Sequence, residues 1–306
     1  MTLTRRDVSE LLASHGIRPS RALGQNFVVD PNTVRRIARL AAVGPGDRVV
    51  EIGAGLGSLT LALADTGAHV VAVELDRYLA PVLRSVVEPR GVRVVEGDAL
   101  RLDWADLLGP GRGGEAERPP VGMGPPPGGG GQGWGPGRGG EHWVLVANLP
   151  YNVATPLVLT LLERAPMIGR MLVMVQREAG ERLAATVGHA AYGAVSVKVA
   201  YRAAASVVGR VPATVFVPQP NVESVLVAVH RRPEPAVAVD EERFFTLVEA
   251  GFAHRRKMLR GSLAGLVDEA VFAAAGVRPE ARAEELDVAT WGRLTACAAA
   301  SGPSRS

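Results

Sequence analysis

The sequence predicts an α/β fold: an open, mostly parallel sheet with helices between its strands, followed by a small all-α C-terminal domain. Two observations predict it. Short runs rich in Val and Ile recur through the first two-thirds of the chain, with helical patterns between several of them. This order is typical of a sheet wound right-handed. After His230 only helical patterns follow. We therefore assign residues 1–235 to the sheet domain and 236–306 to the helical domain.

The predicted elements follow from periodicity and end signals. Near-continuous β-branched runs indicate strands buried on both faces; they are Arg48–Ile52, His69–Glu74, Val92–Glu96, Trp143–Ala147, Arg170–Val175, Ser196–Tyr201 and Val225–Val229. The predicted helices are Ser58–Ala64, Arg77–Val87, Thr155–Arg164, Glu178–Thr186, Glu241–Ala253, Lys257–Leu266 and Asp287–Ala300. Asp30 and Pro31 predict one more helix start, because an acidic N-cap is followed by proline at the first helical position.

A Gly/Pro-rich insertion at residues 109–142 lies between the third and fourth predicted strands. From Gly109 to Gly140, 22 of 32 residues are Gly or Pro. Such a segment buries too little apolar surface to offset its ordering entropy, so we expect it to be disordered. We interpret it as a tolerated surface insertion.

The remaining composition is that of a globular protein, with 47% apolar residues. The lone Cys297 excludes an intramolecular disulfide and a multi-cysteine zinc site, and we expect no metal. The N-terminus has no apolar signal core, and no run reaches about 18 uninterrupted apolar residues. We therefore expect a cytoplasmic protein without a membrane partner. Because no apolar interface is left over, we expect a monomer.

A glycine turn follows the first predicted strand, over residues 50–57 (VEIGAGLG). Glycine lets the backbone turn sharply and approach a ligand without interference from a Cβ atom. The spacing is G-x-G-x-G, and Ser58 stands where a dinucleotide fingerprint has its third glycine. This difference argues against NAD or FAD.

Acidic residues follow the next two strands at the positions where a nucleoside needs them. Glu74 lies about 20 residues beyond the glycine turn, where it can accept hydrogen bonds from both ribose hydroxyls. Asp98 follows the third strand and is placed for an adenine amino group. The glycine turn and the two acids together favour S-adenosylmethionine as the cofactor.

The tetrapeptide Asn148-Leu149-Pro150-Tyr151 follows the fourth strand, at the same edge of the predicted sheet. The Asn148 side-chain oxygen and a carbonyl at Leu149 or Pro150 can accept both N6–H bonds of adenine and so localise its lone pair. Pro150 stiffens the turn, and Tyr151 can stack on the base. Since a sulfonium methyl group is already activated, positioning and electrostatics suffice without a metal or strong base. The tetrapeptide predicts methylation of an exocyclic amine.

These motifs and several others resemble the small-subunit (16S) rRNA adenine-N6,N6-dimethyltransferases of the KsgA/RsmA type. The other motifs are Gly24-Gln25-Asn26-Phe27 with Asp30, Gln176-Arg177-Glu178, Phe216-Val217-Pro218 through Ser224, and residues 252–257 (FAHRRK). The resemblance runs from about residue 20 to 265 and skips only the insertion. It implies a Rossmann-like class I S-adenosylmethionine-dependent methyltransferase sheet. It also implies four methyl transfers onto two adjacent adenosines in the 3′-terminal stem-loop of 16S rRNA, in the small ribosomal subunit.

The resemblance further implies a role for individual residues. It implies cofactor contacts from Gln25, Asn26, Val28, Gly53, Gly55, Glu74, Asp98, Ala99 and Asn148. It places the target base against the catalytic residues Asn148, Leu149, Pro150 and Tyr151. It implies substrate contacts from Phe216, Pro218, Arg255, Arg256 and Lys257. Val28 and Ala54 depart from the family pattern, which usually has leucine and proline there.

Positive charge gathers in two places, although the net charge is only +3. Residues 1–48 hold eight arginines against four acids, and the basic residues of 255–260 lie in a stretch without Asp or Glu from 250 to 267. Because phosphate contacts position a nucleic acid, both places are candidates for RNA contact.

Two other hypotheses fit parts of the sequence. A large-subunit rRNA adenine-N6 methyltransferase of the macrolide-resistance type shares the fold and the pocket. A non-catalytic assembly or transcription factor can keep the fold for binding alone, but the intact Glu74, Asp98 and Asn148 argue against it.

Overall fold

The computed structural model describes residues 2–20, 24–109, 142–254 and 256–300, and the predicted α/β class is confirmed. Contacts divide the chain into two compact units. The first unit is Met1–Gln176 with Val208–Ala228, and the second is Arg177–Val207 with Val229–Ser306. Residues 177–207 therefore group with the C-terminal helices, whereas the sequence assigned them to the sheet domain. Contacts do not test which segment folds independently, so the boundary at residue 235 stays a prediction. Residues 110–141 of the insertion lie outside the described residues, and its expected disorder also stays a prediction.

Several strands end at residues of the candidate site. They are β1 (Phe27–Val28), β2 (Arg48–Ile52), β3 (His69–Glu74), β4 (Arg93–Glu96), β5 (Trp143–Asn148), β6 (Ile168–Gln176), β7 (Ala203–Val211), β8 (Phe216–Val217) and β9 (Ser224–Arg231). One sheet has the order β4-β3-β2-β5-β6-β9-β7, and β1 pairs antiparallel with β8. β2 is parallel to both β3 and β5. The strand order thus reverses between β2 and β5, which is where open α/β sheets bind ligands.

The helices of the first unit are α1 (Arg5–Ser14), α2 (Pro31–Ala41), α3 (Ser58–Ala64), α4 (Leu79–Val87), α5 (Trp104–Leu108) and α6 (Ala154–Arg164). α2 begins as expected, since the Asp30 carboxylate accepts a hydrogen bond from the Thr33 backbone N–H at 2.8 Å. α1 was not predicted; a capping box between Thr4 and Asp7 starts it. The second unit contains α7 (Arg177–Ala184), α8 (Ala194–Arg202), α9 (Glu241–Phe252), α10 (Leu259–Ser262), α11 (Glu269–Ala275) and α12 (Val288–Ala300).

One strand prediction is wrong: Ser196–Tyr201 lies within helix α8, and the strand β7 starts only at Ala203. The alternation of apolar residues over six positions mimicked a strand, and short apolar runs do not distinguish the two by periodicity alone. Tertiary contacts decide the outcome. The Tyr201 ring packs 4.8 Å from the Phe244 ring of α9, and Ser196 Oγ donates to the Arg182 carbonyl. The predicted helix over Lys257–Leu266 shortens to α10, and beyond its end Gly265 has a φ of +80°, which is not helical.

Each unit has its own apolar core. In the first, side chains of the sheet such as Val49, Val146 and Leu172 are buried beneath α2 and α3. In the second, Phe244, Trp291 and Leu259 are almost fully buried. Within the described ranges, no helix has the length and apolar character needed to cross a membrane.

Candidate active site

A cavity of about 230 Å³ opens at the carboxyl ends of β2, β3 and β5. It lies where the strand order reverses, entirely within the first unit. The residues predicted to contact the cofactor all line it: Gln25, Asn26, Val28, Gly53, Gly55, Glu74, Asp98, Ala99 and Asn148. Pro150 also lines it, whereas Leu149, Tyr151, Phe216 and Pro218 do not. The roles of all these residues stay proposals, but the fold brings most of them to one cavity.

The glycine turn after β2 adopts a backbone that only glycine takes easily. Gly53, Gly55 and Gly57 have φ angles of +71°, +59° and +87°. A Cβ at Gly55 would lie 3.0 Å from the Phe27 ring, and one at Gly57 would lie 2.6 Å from Val87. Gly53 N–H donates to the Val73 carbonyl at 2.8 Å, which fixes the turn against β3. Gly53 and Gly55 therefore give the cavity a fixed stretch of wall without Cβ atoms.

The Glu74 carboxylate is held by the backbone at the end of β3. One oxygen, Oε2, accepts from the Gly55 N–H at 2.7 Å, and Oε1 accepts from the Asp76 N–H at 2.9 Å. The side chain is buried, and this burial raises its pKa above the ordinary glutamate value. Each carboxylate oxygen has two lone pairs. The fixed carboxylate can therefore still accept bonds from a ribose diol.

The end of the cavity predicted to bind adenine combines a carboxylate with an apolar wall. Asp98 Oδ1 accepts from the Leu100 N–H at 3.0 Å. Leu75 lines the cavity and leaves 53% of its surface exposed. The sequence reasoning missed Leu75. Its signal was present: an apolar residue directly after the acid that ends β3.

Glu51, in the strand Arg48–Ile52, is a third acidic residue at the cavity, and the sequence assigned it no role. It lines the cavity, is 2% exposed, and its Oε2 has no hydrogen-bond partner within the described parts of the chain. Burial raises the pKa of Glu51 to about 8, and the charge of nearby Glu74 adds to this rise. A buried carboxyl oxygen without a partner suits a polar ligand that can form the missing hydrogen bond.

The cavity as a whole fits S-adenosylmethionine. Gly53 and Gly55 provide wall without Cβ atoms, carboxyl groups are available for the cationic and hydroxylated parts, and Leu75 provides an apolar contact for a base. These groups thus match the hydrogen-bonding needs of a nucleoside that carries a charged substituent.

Glu51 predicts that stability falls as pH rises. Its pKa of about 8 in the folded protein exceeds the ordinary value of 4.5, so the folded state keeps a proton that the unfolded state releases. Above about pH 5 this costs stability, up to on the order of 4 kcal/mol by pH 8. The raised pKa of Glu74 acts in the same direction. Urea unfolding of the ligand-free protein should show this decline between pH 5 and pH 8.

Glu51→Gln should flatten that decline, because the amide has no proton to lose. The matched control is Glu163→Gln at the exposed end of α6, which should keep the wild-type pH dependence. An equally steep decline in both variants would show that Glu51 does not carry the effect.

The side of the site predicted to hold the target base begins at Asn148, the last residue of β5. Its Nδ2 donates to the Asn26 carbonyl at 2.9 Å, so Oδ1 is the side-chain atom left to accept from a ligand. The Pro150 carbonyl accepts from the Val153 N–H at 3.2 Å. Leu149 is buried, and its N–H donates to the Met174 carbonyl of β6. These bonds fix the path of the tetrapeptide from both ends.

Tyr151 is held by a residue distant in the sequence. Its hydroxyl lies 2.9 Å from Ser224 Oγ, and Ser224 is fully buried at the start of β9. The half-buried position of the ring raises the pKa of Tyr151. Phe216, predicted to close over the base, is buried at 1% exposure in β8, while Pro218 is exposed.

The basic stretch predicted to contact RNA belongs to the second unit. Arg256 and Lys257 are exposed. Arg260 lies 3.6 Å from Glu280 in an exposed ion pair. Arg255 lies outside the described residues.

A family model described as ribosomal RNA adenine dimethylase matches residues 17–299. The chain belongs to this family. The resemblance seen in the sequence motifs is thereby confirmed. The chain is 46% identical over 304 residues to ribosomal RNA small subunit methyltransferase A of Kineococcus radiotolerans, covering 96% of this chain and 91% of that protein. It is 45% identical over 303 residues to the protein of the same name from Thermobifida fusca, with 95% and 94% covered.

Two solved structures share the fold of this rRNA adenine dimethylase family member. The 23S rRNA methyltransferase ErmE has a TM-score of 0.63 and 26% identity, covering 89% of this chain and 99% of that one. A dimethyladenosine transferase from Plasmodium falciparum also has a TM-score of 0.63, at 20% identity and with 87% and 94% covered. The second likeness supports the fold alone.

Proposed function

We propose that this chain uses S-adenosylmethionine to dimethylate N6 of two adjacent adenosines in the 3′-terminal stem-loop of 16S rRNA, within the small ribosomal subunit. The observation that carries the proposal is a single cavity edge that holds the glycine turn, Glu74, Asp98 and Asn148 together. Membership of the rRNA adenine dimethylase family and the small-subunit methyltransferases among the relatives support the same conclusion. The proposed role is in small-subunit biogenesis.

The proposed chemistry depends on two acceptors that hold the target amine. Asn148 Oδ1 accepts one N6–H, because Nδ2 of the same amide already donates to Asn26. We place the second acceptor at the Leu149 carbonyl, next to Asn148 in the chain, because one of the two lone pairs of the Pro150 carbonyl already accepts from the Val153 N–H. Two acceptors in this arrangement draw the nitrogen lone pair out of conjugation with the ring and direct it away from the ring plane.

When bound, S-adenosylmethionine supplies an electrophilic methyl group, so the chain needs only to position and desolvate the amine. Asn148 Oδ1 and the Leu149 carbonyl also hold the N6 protons, one of which passes to water after each transfer. The target base must first leave its stack. Tyr151, fixed through Ser224, provides an aromatic face for it. Pro218 is exposed just after β8, whereas Phe216 is 1% exposed and has to move before it can contact the base.

We further propose a cytoplasmic monomer that has no metal or membrane partner. Arg255, Arg256 and Lys257 are proposed to contact RNA phosphates. The exposure of Arg256 and Lys257 supports this role.

A labelling experiment tests the proposed function. The protein and labelled S-adenosylmethionine are incubated with undermethylated small subunits and, separately, with large-subunit rRNA. Label in the small-subunit rRNA is the expected result. Label in the large-subunit rRNA alone would overturn it in favour of a methyltransferase of the macrolide-resistance type. Label in neither RNA would overturn it in favour of a non-catalytic assembly factor.

The bond between Tyr151 and Ser224 predicts a coupled effect on turnover. Tyr151→Phe and Ser224→Ala should each lower kcat by about fivefold, the value of one buried hydrogen bond. The double variant should lose about the same factor and not the product, because both changes remove one bond. Ser85→Ala on α4, whose hydroxyl bonds only within its own helix among the described residues, is the matched control. A multiplicative loss in the double variant would contradict the coupling.

A further inference from the structure

Exposed arginines from three segments of the first unit gather on one surface outside the cavity lining. They are Arg5 of α1, Arg35, Arg36 and Arg39 of α2, and Arg210 of β7. We call this set the α2 arginine surface. The residues lie up to 205 positions apart in the sequence, so only the fold assembles them.

Direct contacts join the three segments. Arg36 Nη1 donates to the Arg210 carbonyl at 3.0 Å, and Arg5 Nη2 donates to the Thr214 carbonyl at 3.1 Å. Thr2, just before α1, lines the same shallow groove as Arg35 and Arg39. The surface is therefore continuous from the N-terminal segment across α2 to the end of β7.

The acids near this surface each have another hydrogen-bond or ion-pair partner. Of them, Asp30 also interacts electrostatically with Arg35, while Asp65 lines the groove with Arg35 and Arg39. Asp30 caps α2 through Thr33, Asp65 pairs with Arg90 at 3.2 Å, and Asp7 bonds to Thr4. Across the described ranges, no arginine of the α2 arginine surface lies within ion-pair distance of a carboxylate. Like charges held together in this way favour a partner with negative charge.

The backbone links the surface to the cavity over a short distance. Val28 of β1 lines the cavity, and α2 begins at Pro31. Val29 N–H donates to the Val215 carbonyl at 2.8 Å, beside Thr214 that contacts Arg5. At a rise of about 1.5 Å per residue, the arginines of α2 lie within about 12 Å of the start of the helix along its axis. An RNA whose base enters the cavity therefore has its neighbouring backbone within reach of this surface.

We propose that the α2 arginine surface binds the phosphate backbone that flanks the target adenosine. The proposal rests on the proposed function and adds a contact surface separate from the basic stretch of the second unit. A guanidinium group matches phosphate with two parallel hydrogen bonds and stays charged at any physiological pH. Such contacts fix the orientation of the RNA without reading its sequence.

The test is the double variant Arg35→Gln/Arg39→Gln, with undermethylated small ribosomal subunits as the probe. Glutamine has nearly the helix propensity of arginine, so α2 should persist. Filter binding from 50 to 200 mM KCl should give about tenfold weaker binding near 0.1 M salt. The slope of log affinity against log salt should shrink in size by about 1.5, the loss of two phosphate contacts. Arg36→Gln/Arg210→Gln should give a similar loss.

The matched control is Arg84→Gln/Arg93→Gln, which removes the same charge at the opposite edge of the sheet, on α4 and β4. It should bind within about twofold of wild type with an unchanged salt slope. If the control variant lost as much affinity as the surface variants, the proposal would be overturned, because the change in net charge alone would then explain the losses. Wild-type binding by both surface variants would overturn it too. Labelling by the wild-type protein keeps the proposed function separate: if small subunits are methylated while the surface variants bind normally, only this inference fails.

Discussion

Asn148→Ala is expected to lower kcat for methyl transfer to undermethylated small subunits by about 10²- to 10³-fold, the usual cost of removing one preorganised polar contact. The substitution removes the acceptor Oδ1 and also the bond from Nδ2 to the Asn26 carbonyl. Single-turnover kinetics at saturating S-adenosylmethionine and subunits measures the chemical step directly. Affinity for S-adenosylhomocysteine, measured by calorimetry, should change far less than kcat.

Two further variants sharpen the Asn148 result. Asn148→Asp keeps an acceptor but places a carboxylate against the Asn26 carbonyl, so it should fall between wild type and Asn148→Ala. Asn32→Ala, in the exposed first turn of α2, is the matched asparagine control and should keep kcat. A kcat for Asn148→Ala within tenfold of wild type would contradict the role of Oδ1 as acceptor.

Glu74→Gln is expected to weaken binding of S-adenosylhomocysteine by about 100-fold, close to 2.7 kcal/mol. The carboxylate accepts from the Gly55 N–H through one oxygen and from the Asp76 N–H through the other. Glutamine has a single oxygen, so its NH₂ group must face one of those donors or rotate away. Both the glycine turn and the ribose contact lose their fixed acceptor. Isothermal titration calorimetry measures the loss.

Glu96→Gln is the matched control for Glu74. Glu96 ends β4 directly beside Glu74 in the parallel register but is exposed. It should bind S-adenosylhomocysteine as wild type does. A melting curve of Glu74→Gln without ligand separates lost binding from lost folding. Affinity within threefold of wild type, in a folded Glu74→Gln protein, would contradict the role of Glu74.

Much of the sheet and the cavity could be predicted because local sequence carries their determinants. The strands Arg48–Ile52 and His69–Glu74 and the helix Ser58–Ala64 have the predicted bounds. Continuous Val and Ile runs report burial on both faces, and glycines between strand and helix report a turn with positive φ. Strand ends carry Glu74 and Asn148, so the parallel order alone placed them at one edge.

Other elements could not be predicted, because distant partners determine them. β1 and β8 have two residues each and exist only through pairing of Phe27 with Val217. The residues of helix α8 were predicted as a strand, because the contacts with α9 that favour the helix are not visible in the local sequence. The sequence assigned no role to Leu75 and Glu51, although Leu75 directly follows the acid that ends β3. Their importance follows from exposure at a cavity wall and from burial without a partner.

The sequence by itself determined the chemical groups of the site: a glycine turn, acids after consecutive strands and an asparagine before a stiff, aromatic turn. Tertiary structure alone decided which atoms of these groups remain available. Asn148 donates to a carbonyl 122 residues away, which leaves Oδ1 as the acceptor. Arg36 meets Arg210 across 174 residues. The physical reason is that residue type and spacing are local, whereas hydrogen-bond partners and burial depend on how distant segments pack.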